Sequence, residues 1–276
     1  MFNSRQLIIL IITISETIFP AQSINDWSLS TMVSVQKNGR HICTGVLITN
    51  SVVLTTRHCL IGITSASILS VQPNFDGKIY SPTDPKSESA QVLDFVVHPE
   101  TRISNDIGLI QLNSYIKTLN STGRTIKIMG KDEQLTGDET LILVSWGYTK
   151  SLVVEGELSL TAVDLVDQSE CTKRFEIPDN QVDQLICGRP YRSEICRGDA
   201  GSPVFVIDPT KHTVKVISLL VYSTIKCSSD LFLSVRVSNS QDWIDKSLTK
   251  FHVTVELAKL LEKFANSLIS KLKRKS

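Results

Sequence analysis

Six cysteines, at positions 43, 59, 171, 187, 196 and 227, constrain this chain of 276 residues more than any other feature. The count is even, so each thiol has a prospective partner, although the sequence alone leaves many connectivities open. No Cys-x-x-Cys pair or neighbouring His doublet exists, which argues against a zinc site. Paired cysteines belong in an oxidising compartment, and the N-terminus supplies the route to one. Arg5 precedes the apolar run Leu7 to Ile14, and Ala21-Gln22-Ser23 puts small residues where signal peptidase reads them. Residues 1–23 therefore read as a removed secretion signal, since the apolar run is too short to cross about 30 Å of hydrocarbon. In that setting Asn120-Ser121-Thr122 is an N-glycosylation acceptor at Asn120.

After the signal, enough chain remains for one all-β protein of two packed barrels or for two generic domains. The hydrophobic content of 41% fills such cores, and no internal repeat or low-complexity linker interrupts the chain. Val52-Val53-Leu54, Val92 to Val97, Leu141 to Val144 and Val204-Phe205-Val206 are short apolar runs rich in β-branched residues and bounded by turn residues, as strands should be. The polar, proline-bearing stretch from Gln72 to Ser89 reads as a surface loop. A net charge of +1 gives no basis for a nucleic-acid partner.

Three blocks then stand in a telling order: Leu54-Thr55-Thr56-Arg57-His58-Cys59, Asn105-Asp106-Ile107-Gly108-Leu109-Ile110, and Cys196-Arg197-Gly198-Asp199-Ala200-Gly201-Ser202-Pro203. Together they resemble the trypsin-like serine protease family, with His58 matching the general base, Asp106 the carboxylate that orients it, and Ala200 the nucleophile position. The order His, Asp, nucleophile is that of chymotrypsin-type enzymes, unlike subtilisins and α/β-hydrolases. His98-Pro99, Ser145-Trp146-Gly147 and Trp243-Ile244 fit as further landmarks, so the resemblance covers roughly residues 33 to 247. It implies an all-β fold of two packed six-stranded antiparallel barrels with a C-terminal helix. The domain would run from 24 to 249, with the barrel boundary near 120–135. It also implies the bridges Cys43 with Cys59, Cys171 with Cys187, and Cys196 with Cys227.

The departures from the family pattern are as informative as the matches. Alanine at 200 has a methyl group where the family has a hydroxyl, and a methyl group cannot attack a carbonyl. Gly198 and Ala200 match the residues whose backbone forms the oxyanion hole, yet Glu194, Thr224 and Asp230 fall at altered positions of the specificity pocket. Ile24-Asn25-Asp26-Trp27 stands where the family has an activation terminus, with no basic residue before it. The family's uncut precursors compensate the buried carboxylate matching Asp199 with a histidine and a serine. Here His41 and Ser34 match those two positions, which suggests a zymogen-like lock. The nearby Ser202 is the one hydroxyl that an active reading would need as a displaced nucleophile.

Residues 250–276 lie beyond the family pattern. Leu257, Leu261, Phe264, Leu268 and Leu272 recur at helical spacing, and seven Lys/Arg against two Glu give this tail +5. With +1 for the whole chain and no net charge in the signal, residues 24–249 carry −4. Such a tail packs on its own domain or stays disordered, or else it meets a partner helix or an anionic membrane surface through residues 253–276. The expectation is a secreted, catalytically inactive protease homologue that needs no cofactor or metal. It would bind an extracellular protease, inhibitor or substrate, in an immune or reproductive setting. The alternatives are a serine endopeptidase acting through Ser202 and a membrane-binding protein acting through its tail.

Overall fold

The computed structural model describes residues 29–74, 78–80, 84, 88–116, 125–146, 158–191, 195, 198–208, 210–211, 213–222, 230–254, 256 and 263. Thirteen strands dominate it. The first six are β1 (Met32–Lys37), β2 (Arg40–Thr49), β3 (Val52–Thr55), β4 (Leu69–Pro73), β5 (Ala90–Val97) and β6 (Gly108–Leu112). They close into a barrel in the order β1-β2-β3-β6-β5-β4. The first hairpin turns at Asn38-Gly39, where both residues adopt positive φ (51° and 72°), the geometry that an Asn-Gly pair favours.

The second half runs through β7 (Lys127–Ile128), β8 (Thr140–Ser145), β9 (Ser159–Leu165), β10 (Leu185–Pro190), β11 (Pro203–Asp208), β12 (Thr213–Tyr222) and β13 (Phe232–Arg236). Six of these form the ring β11-β8-β9-β10-β13-β12, closed by the pairing of β12 back to β11, with β7 added in parallel along β12. Two six-stranded antiparallel barrels result. Each encloses its own apolar cluster, the first around Val35, Leu47, Val53 and Ile110, the second around Leu143, Val204, Leu220 and Phe232. A third cluster joins Leu54 and Leu109 of the first barrel to Trp146, Phe205 and Leu233 of the second. Burial of this shared face, at roughly 25 cal/mol per Å² of apolar surface, is what holds the barrels together.

The four anticipated strands are present as β3, β5, β8 and β11. One boundary needs correcting: Gln72 lies within β4 and is 1% exposed, so the loop begins later than the sequence suggested. Gln72 pairs with Ser34 across β1 and hydrogen-bonds Gln36, a buried polar contact that looks like loop chemistry in the sequence. A helix not anticipated, α1 (Gln168–Phe175), starts at Asp167, whose carboxylate accepts from the Ser169 amide. Glu170 three residues after this cap is the capping-box pattern. The second helix, α2 (residues 241–254), buries Ile244, Ser247 and Phe251 on one face. Among the described residues no helix is long and apolar enough to cross a membrane.

Candidate functional site

The loop carrying Ala200 is fastened to both barrels by its backbone. Thr44 N donates to the Ala200 carbonyl at 2.9 Å, and on the other side Gly201 N donates to Leu220 O and Leu220 N to Ser202 O. Within the loop, Ser202 N donates to Asp199 O at 2.9 Å, making a tight turn. Gly198 and Gly201 adopt φ of 93° and 81°, a region that side-chain-bearing residues rarely occupy. At Gly201 a Cβ would also collide with the Thr44 carbonyl, which in turn accepts from Thr55 Oγ1 at 2.8 Å. Thr44 and Thr55 thus shape this loop, and no sequence signal distinguishes them from ordinary strand residues.

His58 sits in a short 3-10 turn, Arg57–Cys59, at the end of β3. Two contacts fix the turn: Cys59 is disulfide-bonded to Cys43 of β2, and Arg57 Nε donates to the His98 carbonyl at 3.1 Å. Asp106 follows another 3-10 turn, Ile103–Asn105, and its carboxylate is largely buried. One oxygen accepts from the His58 backbone amide at 2.8 Å, the other from His58 Nδ1 at 2.5 Å. A carboxylate only accepts, so Nδ1 carries the proton and Nε2 is left as the basic nitrogen. The imidazole is partly open to solvent, with its side chain 42% exposed. The sequence-derived pair of base and orienter therefore stands together in space, and position 200 presents only a methyl group to react.

A cluster formed by Cys43, His58 and Cys59 brings one nitrogen and two sulfurs within 4.8 Å. Both sulfurs are consumed by the disulfide, so they are not the thiolates a metal needs. Ser202 is fully buried, and among the described residues its Oγ has no hydrogen-bond partner.

Behind the loop lies a second histidine. His41 is buried, its Nδ1 2.8 Å from Ser34 Oγ and its Nε2 3.2 Å from the Gly198 carbonyl. The carbonyl accepts, so Nε2 bears the proton and Nδ1 accepts from the serine. Burial pushes the imidazole down to about 4, against a smaller upward pull from the Gly198 carbonyl. Asp199, the residue after Gly198, is 2% exposed. Asp230 is exposed, and its carboxylate lies 3.7 Å from Arg174 Nε of α1. Glu194 and Thr224 lie outside the described residues, as do Cys196, Cys227, Asn120, the segment 1–23 and all of the tail's apolar positions from Leu257 to Leu272. The second expected disulfide, Cys171–Cys187, joins α1 to β10.

Comparison with known proteins agrees with the geometry. The trypsin family model matches residues 19–244. The chain belongs to the trypsin family. It is 24% identical over 178 residues to trypsin Blo t 3 of Blomia tropicalis, covering 62% of this chain and 65% of that one. It is 27% identical over 181 residues to trypsin delta of Drosophila melanogaster, covering 62% and 67%. The aligned part thus spans about two thirds of each relative.

Proposed function

We propose that this trypsin-family chain is a secreted, catalytically inactive homologue that acts by binding an extracellular protein, as a cofactor for an active protease or as a decoy for an inhibitor or substrate. The carrying observation is the pairing of an assembled His58–Asp106 dyad with alanine at position 200. In a triad the base works through the nucleophile, and removing the nucleophile in a related chemistry lowers turnover about 10⁶-fold, roughly 8 kcal/mol of barrier. On this reading the retained fold binds and does not cut. The burial of Ser202 weighs against a displaced nucleophile, because a serine at 0% exposure cannot meet a peptide carbonyl. Secretion is supported by the cysteine pairing and the N-terminal apolar run.

The test uses full-length secreted protein as bait in the fluid of the tissue that makes it, with saturation binding on whatever trypsin-family protease, protease inhibitor or substrate co-purifies. A saturable partner with Kd below about 10 μM, the usual range of specific complexes, is expected. Turnover of peptides by the purified chain, abolished in His58→Ala, would overturn the reading.

A further inference from the structure

The disulfide between Cys43 and Cys59 reaches the dyad itself. Cys59 Sγ lies 4.0 Å from His58 Nε2, and both sulfurs and one imidazole nitrogen fall within 4.8 Å of one another. Joined as a disulfide, the sulfurs ligate nothing. Opened to thiols, the same three atoms make a different kind of site. Tetrahedral zinc holds its ligands at roughly 2.0 to 2.3 Å, so neighbouring ligand atoms stand about 3.3 to 3.8 Å apart. The Cα atoms of the two cysteines are 6.2 Å apart, so rotation of the two short side chains is enough to part the sulfurs by that much.

The surroundings of these atoms suit a metal as well. Asp106 holds the proton on His58 Nδ1 and leaves the Nε2 lone pair free, the way a carboxylate orients a metal-bound histidine. Alanine at 200 supplies no hydroxyl to occupy that lone pair. Thr56 Oγ1 stands 2.9 Å from Cys59 Sγ and can donate to a thiolate there. The half-open imidazole leaves a fourth position to water, while Cys43 and Cys59 are buried. Two sulfurs and one nitrogen are a borderline-soft donor set, which selects zinc over calcium or magnesium. We propose that Cys43, Cys59 and His58 form a redox-gated zinc site, closed in the disulfide form and opened by a thiol reductant of the glutathione or dithiol class. In the gating step two electrons break the S–S bond, both sulfurs become S–H, and the reductant's two thiols become a disulfide of their own. Metal binding then releases the two thiol protons to solvent, and Nε2 completes the three protein ligands.

Cobalt(II) is the probe, since its bonds to thiolates absorb light and those of zinc do not. The full-length protein is reduced with a phosphine, near-ultraviolet circular dichroism follows its fold, and cobalt is titrated in. The reduced chain is expected to take up one equivalent of cobalt, marked by thiolate charge transfer, that is absent from the disulfide-intact chain and lost in His58→Ala. Zinc should displace this cobalt and silence the band. Asp106→Asn keeps all three ligands and should weaken the uptake about 10- to 100-fold, the usual effect of losing a carboxylate behind a ligand. Thiols released from any other disulfide cannot mimic the result, because their uptake does not depend on His58. If reduction unfolds the chain, recovery of the dichroism with cobalt supports the proposal and no recovery overturns it. Equal uptake by wild type and His58→Ala, equal uptake by reduced and intact chains, or no uptake at all would also overturn it. The proposal does not rest on partner binding, so its failure leaves that reading untouched.

Discussion

At the scale of single residues, His41 carries the clearest electrostatic consequence. Its folded value of about 4 lies below the ordinary 6.5 because burial disfavours the charged ring. Below pH 6.5 the unfolded chain takes up a proton that the folded chain refuses, so stability falls as pH drops from 6.5 to 4 and this contribution then levels off. The difference corresponds to roughly 3 kcal/mol. Urea unfolding at pH 7 and pH 4.5 should therefore show wild type losing more than His41→Gln by an amount approaching that figure. Equal losses would mean that the ring is not held neutral. Position 200 gives a second residue-scale prediction. Ala200→Ser would place a hydroxyl on a loop whose backbone is already held by Thr44 and Leu220. Cleavage also needs the substrate carbonyl in register, and if Glu194, Thr224 and Asp230 occupy the pocket positions that the family resemblance implies, they work against that. The variant is expected to remain below about 1% of a family enzyme in kcat/KM, about 3 kcal/mol of unrecovered transition-state binding, on a mixed peptide library. Efficient cleavage by Ala200→Ser would show that only the nucleophile had been lost.

At the scale of elements, the helices separate what a one-dimensional pattern reveals from what it hides. The four strands read from apolar runs are all present, because a short β-branched run bounded by turns has few other ways to bury itself. The start of the loop after β4 was misplaced because Gln72 is polar and yet buried in a hydrogen bond to Gln36. The tail carries a strong pattern that lies outside the described residues. In α2 the residues Ile244, Leu248 and Phe251 face the barrels. Continued at about 100° per residue, the stripe Leu257, Leu261, Phe264, Leu268 and Leu272 would be turned about 130° from that face. With five net positive charges in residues 250–276, an anionic membrane is one of the surfaces expected for it, beside its own domain and a partner helix. A peptide covering 253–276 should gain helicity on anionic vesicles and lose binding as salt is raised past physiological strength, where the Debye length falls below about 8 Å. No gain in helicity on vesicles would return the tail to packing on its own domain.

At the scale of the whole molecule, the contact of His58 with Asp106 was legible because the residues that match the family stand in short blocks. His58 and Asp106 are 48 residues apart in sequence, yet their ring nitrogen and carboxylate meet at 2.5 Å as the three blocks implied. The supporting shell was not legible. Thr44 and Thr55 belong to strands whose residue types carry no marker of their role. Two barrels, a shared apolar face and at least two disulfides hold the His58–Asp106 pair and the loop that carries Ala200. The central proposal is that the chain binds without cutting. A fluorophosphonate probe tests it most directly, since only a serine activated by a neighbouring base is phosphonylated. The secreted, disulfide-intact chain should keep its unlabelled intact mass after incubation with excess probe. A stoichiometric adduct on Ser202 or any other serine, lost in His58→Ala, would contradict the account.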